Sequence, residues 1–211
     1  EIGRNFRNEG MSFKHNPEFT MIETYEAYTD YFGVAEMVEQ MVSSVAEEVL
    51  GTTKVTFRDL EIDLAAPWRR ITFLDAMREY DGPDLEEFTT ADQLRAELRR
   101  RGVDAPPNAG YGKLCDEAMS HYIEPNLIQP TFLLDYPVEL SPLAKRKPGN
   151  DRFVERFECF VAGFEFGNAY TELNDPMEQR ARFEGQLALQ AAGDDEVELV
   201  DEDFLFALEH G

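Results

Sequence analysis

The stretch Arg7-Asn8-Glu9-Gly10-Met11-Ser12-Phe13-Lys14-His15-Asn16-Pro17-Glu18-Phe19 sets an arginine, a carboxylate, a Gly/Ser-bearing turn, a basic pair and an aromatic ring within one apparent hairpin. Glycine and serine supply the turn, and residues 2–9 and 19–28 on either side read as its strands. Arginine presents a planar fork to phosphate oxygens, a carboxylate accepts from a base amino group, and an aromatic face stacks on a purine. The ordered string therefore suits the grip of a nucleotide triphosphate, with Arg7 at phosphate, Glu9 at the base and Phe19 as the stacking surface. Any one of these residues alone reads better as part of an exposed hairpin with an ordinary salt bridge.

Working outward, Met21, Glu23, Tyr25 and Ala27 share one face of the second strand, so Glu23 and Tyr25 project together. Val34, Met37, Val38, Met41, Val42, Val45 and Val49 recur at helical spacing and Gly51 follows as a stop, which predicts a helix over 34–50. Residues 54–64 read as a short hairpin and 72–80 as a brief helix with Thr72 as its cap. Composition changes at Asp81-Gly82-Pro83. From there, Thr90 caps a helix over 91–101, Pro106-Pro107 breaks it, and helix resumes over 112–122, so 81–124 reads as an inserted helical subdomain. Residues 127–134 return to strand and end in the turn-rich Asp135-Tyr136-Pro137; 152–172 is the most strand-like stretch. Asp175-Pro176 opens a helix running to Gly193, and Asp201 caps a last one ending at Gly211. Strands joined by hairpins and long helical excursions imply an α+β fold, an antiparallel sheet flanked by helices.

At 211 residues the chain suits one domain with a real core, or a large piece of a bigger one. Cys115 and Cys159 stand in no ligand-like spacing and read as reduced, buried thiols of a cytosolic protein, and the three scattered histidines make no zinc site. Any metal should be a hard cation held by carboxylates. A net charge of −23 argues against nonspecific nucleic-acid binding, and Arg99-Arg100-Arg101 reads as the solvated end of a helix. No apolar run is long enough to span a bilayer. The opening Glu1-Ile2-Gly3-Arg4 reads as the middle of a strand rather than a signal peptide.

Two more constellations carry chemistry. Glu158 and Glu165, if they face one cleft, could hold a magnesium ion that also bridges phosphates. Strict alternation along one strand puts them on opposite faces, and a bulge near Gly163 would be needed to join them; on spacing alone, two unrelated edge glutamates is the stronger reading. Asn168, Tyr170 and Glu172 alternate and share a face. With Glu23 and Tyr25 they supply carboxylates and phenols that suit an ammonium group on an apolar stem, the plain alternative being a strand face exposed to water.

The strings Arg4-Asn5-Phe6-Arg7-Asn8-Glu9-Gly10-Met11-Ser12 and Lys14-His15-Asn16-Pro17-Glu18-Phe19-Thr20-Met21 resemble motif 2 of the class II (class IIb) lysyl-tRNA synthetase family. Leu127-Ile128-Gln129-Pro130-Thr131-Phe132, Glu139-Leu140-Ser141-Pro142-Leu143-Ala144-Lys145-Arg146 and Asn168-Ala169-Tyr170-Thr171-Glu172-Leu173-Asn174-Asp175 resemble the same family, as does the ending Asp201-Glu202-Asp203-Phe204. The resemblance runs along essentially the whole chain, 81–124 being its loosest part. It implies a class II synthetase sheet with a helical insertion, ATP-dependent activation of lysine to lysyl-adenylate, and transfer to tRNA(Lys) in the cytoplasm. By resemblance, Arg7 holds the α-phosphate and the lysine carboxylate, and Glu9, His15, Asn16 and Phe19 hold the nucleotide. Glu172, Tyr25 and Glu23 bind the lysine ammonium, Asn168 assists at the carboxylate, and Tyr170, where the family usually has phenylalanine, flanks the stem. Glu158 and Glu165 match magnesium ligands, which overturns their reading as unrelated edge residues.

The same resemblance implies a homodimeric parent without zinc. It leads one to expect that an anticodon-binding OB domain, motif 1 and motif 3 lie outside this sequence, leaving a partial catalytic domain with open sheet edges and little activity of its own. Two other readings fit the residues: a non-catalytic module that binds lysine or a nucleotide, and a paralogue that attaches lysine-like groups to a protein.

Overall fold

The computed structural model describes residues 1–8, 16–191 and 200–210, with residues 188–191 described in backbone only. Glu9 and His15 lie outside the described residues, as do Gly193 and Gly211, where the last two helices were expected to end. Along the chain run β1 (Ile2–Phe6), β2 (Glu18–Ile22), α1 (Tyr31–Leu50), β3 (Lys54–Phe57), β4 (Leu60–Asp63), β5 (Arg69–Thr72), α2 (Phe73–Glu79), α3 (Ala91–Arg100) and α4 (Tyr111–Tyr122). They are followed by β6 (Thr131–Pro137), β7 (Arg146–Lys147), β8 (Asn150–Val161), β9 (Phe164–Tyr170), α5 (Pro176–Ala191) and α6 (Glu202–His210).

Helix ends follow local chemistry. Asp30 opens α1 by accepting from the backbone N–H groups of Phe32 and Gly33, and Gly51 closes it in the left-handed conformation at φ 72°. Thr72 caps α2, and Thr90 with Gln93 forms a reciprocal capping box at α3. Asp201 accepts from the Phe204 N–H at the start of α6.

The main sheet places β6 along one edge of β8, with β7 and β9 along the other, and β5 outside β6. All its pairs are antiparallel except β5 with β6, which run parallel from Arg69↔Thr131 to Thr72↔Leu134. The expectation of an antiparallel sheet needs this correction at one margin. The chain between those two strands is long enough to cross over through α2, α3 and α4, so β6 re-enters in the same direction.

Each face of the sheet is covered. On one, Phe132, Leu134, Phe157 and Cys159 pack with Trp68 and with Tyr31 and Ala35 of α1. On the other, Leu133, Tyr136, Val154 and Phe160 join Phe73 and Met77 of α2, Leu94 and Leu98 of α3, and Leu114, Cys115 and Ala118 of α4. The helices within 81–124 therefore share one core with the sheet. Burial raises the thiol pKa of both cysteines, to about 12 for Cys159, which leaves them inert.

The first hairpin is shorter than its sequence suggests. β1 and β2 form a separate two-stranded sheet in the register Ile2↔Ile22 to Phe6↔Glu18. Glu23 bonds the Glu1 carbonyl at 2.9 Å, just beyond Ile22, the last residue of β2. Glu23 and Tyr25 are consequently not strand residues. Among the described residues no helix is long and apolar enough to cross a membrane.

Candidate active site

The chemistry-bearing residues of β8 and β9 meet because of two local irregularities. Residues 152–172 are not one strand: the chain reverses at Ala162 and Gly163, both at positive φ (55° and 75°). This two-residue turn pairs Val161 with Phe164 and Phe160 with Glu165. Directly opposed residues of an antiparallel pair share a face, so Glu165 lies on the face of Phe160 and Glu158. The parity argument that separated the two glutamates fails because it counted through a turn.

A bulge does exist, but at Phe166 rather than near Gly163. The register steps from Phe160↔Glu165 to Cys159↔Gly167, leaving Phe166 as the extra residue. Its consequence is that Asn168 stands opposite Glu158 and Tyr170 opposite Arg156, both on the face that holds Glu165. The Asn168 amide donates to Glu165 Oε1 at 3.4 Å. Two residues beyond Tyr170, Glu172 bridges to Ala144. Partial burial raises its carboxyl pKa, and it makes no side-chain hydrogen bond or ion pair among the described residues.

Beneath this face sits a buried polar cluster. Glu158, 6% exposed, accepts from Tyr136 Oη at 2.8 Å and from Arg156 Nη2 at 2.6 Å, one bond to each carboxylate oxygen. Arg156 also donates to the Leu140 carbonyl at 2.7 Å and to Ser141 Oγ at 2.8 Å, and its guanidinium lies 4.8 Å from the Tyr136 ring centre. Tyr136 reaches this face although Leu134 packs on the other, because alternation breaks at Asp135 (φ 60°), where the register shifts. Asp135 itself turns toward α1 and accepts from Tyr31 Oη at 2.7 Å. Burial is the largest influence on Glu158 and raises its carboxyl pKa to about 7; Arg156 opposes the rise and the nearby Glu165 carboxylate adds to it. Burial, and then Glu158, raise the Tyr136 phenol well above its ordinary range, so it remains a donor.

This donor set fits a hard divalent cation. Two carboxylates share one face, the buried one is disfavoured as an anion by its neighbour, and a cation between them would relieve that repulsion. Among the described residues no cluster of three or more His, Cys, Asp or Glu side chains could hold a metal, so the remaining ligands would come from substrate and water. Sequence reading missed Tyr136 and Arg156. The signal for Arg156 was its position two residues before Glu158 on the same parity; Tyr136 was hidden by its turn-like neighbours.

The nucleotide half is arranged differently. Arg7 and Asn16 are exposed, and the Arg7 guanidinium stands 5.3 Å from the Phe19 ring centre. The Arg7 N–H bonds the Pro17 carbonyl at 2.9 Å, which holds the mouth of the hairpin closed. Tyr25 is 84% exposed and Glu23 is exposed, and the side chain of neither makes a hydrogen bond or ion pair among the described residues. The structure thus gathers Glu158, Glu165, Asn168 and Tyr170 on one face, with Glu172 just beyond, and leaves Arg7, Asn16, Phe19, Glu23 and Tyr25 on or beside the separate hairpin.

The family described as tRNA synthetases class II (D, K and N) matches the sequence over residues 1–211, and the chain belongs to that family. Within it, the chain is 53% identical over 211 residues to the lysine–tRNA ligase of Moorella thermoacetica, and 51% identical over 212 residues to that of Dehalococcoides mccartyi. The lysine–tRNA ligase of Chloroflexus aurantiacus is 48% identical over 211 residues. Each of these matches takes in 100% of this chain and 43% of the relative, so the chain spans less than half the length of the curated relatives it matches.

Proposed function

We propose that this chain is catalytic-domain sequence of a lysine–tRNA ligase, which joins lysine to ATP as lysyl-adenylate and then passes the lysyl group to tRNA(Lys). The observation that carries this reading is the identity with lysine–tRNA ligases along all 211 residues. In the first step a lysine carboxylate oxygen attacks the α-phosphorus of ATP and the bond to pyrophosphate breaks. In the second a tRNA ribose hydroxyl takes the acyl group and AMP leaves.

The residues divide this work. Phe19 offers adenine the ring face that Arg7 now covers, so a stacked base displaces the guanidinium toward the phosphates. There Arg7 bridges the α-phosphate and the lysine carboxylate and stabilises the charge that develops between them. Glu9 reads the adenine amino group, and His15 and Asn16 contact the nucleotide. Glu158 and Glu165 would hold Mg2+, which supplies charge neutralisation at the phosphates when bound. Glu172, partly desolvated and without a partner among the described residues, takes the lysine ammonium with Glu23 and Tyr25. Tyr170 flanks the methylenes and Asn168 lies toward the carboxylate. Alignment and charge neutralisation carry the reaction, and no protein nucleophile is required. The same reading makes 81–124 an insertion within one catalytic domain, and the enzyme a cytoplasmic homodimer.

The test is amino-acid-dependent ATP–pyrophosphate exchange by the intact protein. Lysine should support exchange and aspartate and asparagine should not; exchange driven by either of the latter would overturn the assignment. Glu172→Gln should raise the lysine KM by about 10–100-fold, the equivalent of losing a bond to a charged group, while the ATP KM stays unchanged. Equal effects on both substrates would sink the ammonium role.

A further inference from the structure

Glu158 is the more deeply placed of the paired carboxylates, and its environment shows more than burial. A carboxylate whose only task is to fill the core needs its oxygens satisfied, and one donor to each oxygen does that. Here the two donors are also joined to one another. The Arg156 guanidinium lies over the Tyr136 ring at 4.8 Å, and its other nitrogen is anchored on the Leu140 carbonyl and Ser141 Oγ. Among the described residues Arg156 Nε has no partner in this buried setting, so the guanidinium leaves one bond unmade in the orientation that serves Glu158. Tyr136 occupies this face only through the break in alternation at Asp135. Three departures from the simplest strand chemistry therefore converge on one carboxylate: a register shift, a stacked cation and an unsatisfied N–H. Each bonded oxygen of Glu158 keeps a further lone pair, and Glu158 shares its face with Glu165.

Resting on the reading of Glu158 and Glu165 as the cation site of a metal–ATP enzyme, we propose that Arg156 and Tyr136 are positioning residues. They form a clamp that fixes the Glu158 carboxylate so that it and Glu165 receive the divalent cation together. Neither touches substrate. Their effect is on metal affinity and on the metal requirement of the reaction, because a ligand held in one orientation loses less freedom on binding. Arg156 also places a positive charge beside the pair, so the face carries two carboxylates and one guanidinium. A cation arriving with the triphosphate is then favoured over the same cation arriving alone.

The experiment uses the intact protein and Mn2+ as the probe, with free Mn2+ followed by electron paramagnetic resonance with and without ATP. Arg156→Lys keeps the charge but cannot span Glu158, Leu140 and Ser141 at once. It should weaken Mn2+ binding in the presence of ATP by about tenfold, and Tyr136→Phe should produce a smaller loss in the same direction. In pyrophosphate exchange, both variants should need more Mg2+ and recover their rate when Mg2+ is raised, with the lysine KM unchanged. A clamp with only a structural role would lower the melting temperature without a metal-dependent rescue, and that result would overturn the proposal. If Arg156→Lys does not fold, Tyr136→Phe decides: a rescued shift supports the clamp, and wild-type metal dependence refutes it. Absence of ATP-dependent Mn2+ binding by the unaltered protein would instead refute the reading of the metal site, which separates the two failures.

Discussion

On the β8–β9 face, Glu158 is clamped, Asn168 leans on Glu165, Tyr170 packs against the core, and β8 beneath is buried from Phe157 to Phe160. Among the described residues the β1–β2 hairpin pairs only with itself, and Ile2, Phe6, Ile22, Arg7 and, just beyond β2, Tyr25 are exposed. These exposures belong to a chain that spans 43% of the length of its relatives, and a two-stranded hairpin on its own is marginal in water. The difference teaches how a site can divide its labour. Under the proposed function, the two carboxylates gain from preorganisation, since like charges must be kept close before a cation arrives. Under the same function, the hairpin that carries Arg7 and Phe19 is the nucleotide half of the site.

The comparison can be broken at either end. The largest expected effect is on the rigid side. Phe160 is 1% exposed and lies directly opposite Glu165, so Phe160→Ala should cost about 3–5 kcal/mol in urea denaturation; a cost below about 1 kcal/mol would mean that the face is not the packed platform described. Next comes Arg7→Ala, which should lower the rate of lysine-dependent exchange by about 10²–10³-fold while the melting temperature stays put. A drop in melting temperature alongside the lost rate would show that Arg7 is part of the fold. The smallest effect is expected at Phe6, 73% exposed: Phe6→Ser should change the stability of this chain by no more than about 0.5 kcal/mol. A larger loss would reveal that the hairpin packs on something and would erase the contrast.

What could be read beforehand was what lies close along the chain. The caps at Thr72, Thr90 and Asp201, the stop at Gly51 and the β3–β4 hairpin depend on side chains bonding their own neighbours, and they stand as expected. What escaped depends on partners far away. β5 has four residues and gains its identity from its pairing with β6. The turn at Ala162-Gly163 was obscured because alanine rarely takes positive φ, so the stretch looked like one strand and Glu165 was assigned to the wrong face. The pairing of Glu158 with Glu165 was legible only through family resemblance. Asn168, Tyr170 and Glu172 could be grouped by alternation, but their relation to Glu165 hangs on the extra residue Phe166, which no local pattern marks.

The parallel pairing of β5 with β6 has a consequence for how the chain reaches this shape. Three helices separate the two strands, so their contact closes the longest loop in the sheet, whereas β8 and β9, like β7 and β8, are joined by two residues. Loop closure is entropically cheap for the second and dear for the first. The two-glutamate hairpin can therefore form early from local contacts, with β5 docking only after α2, α3 and α4 have collapsed against Leu133 and Phe160. Order of assembly would then run from the β8–β9 hairpin outward, making the turn that brings Glu158 and Glu165 onto one face the seed of the sheet as well.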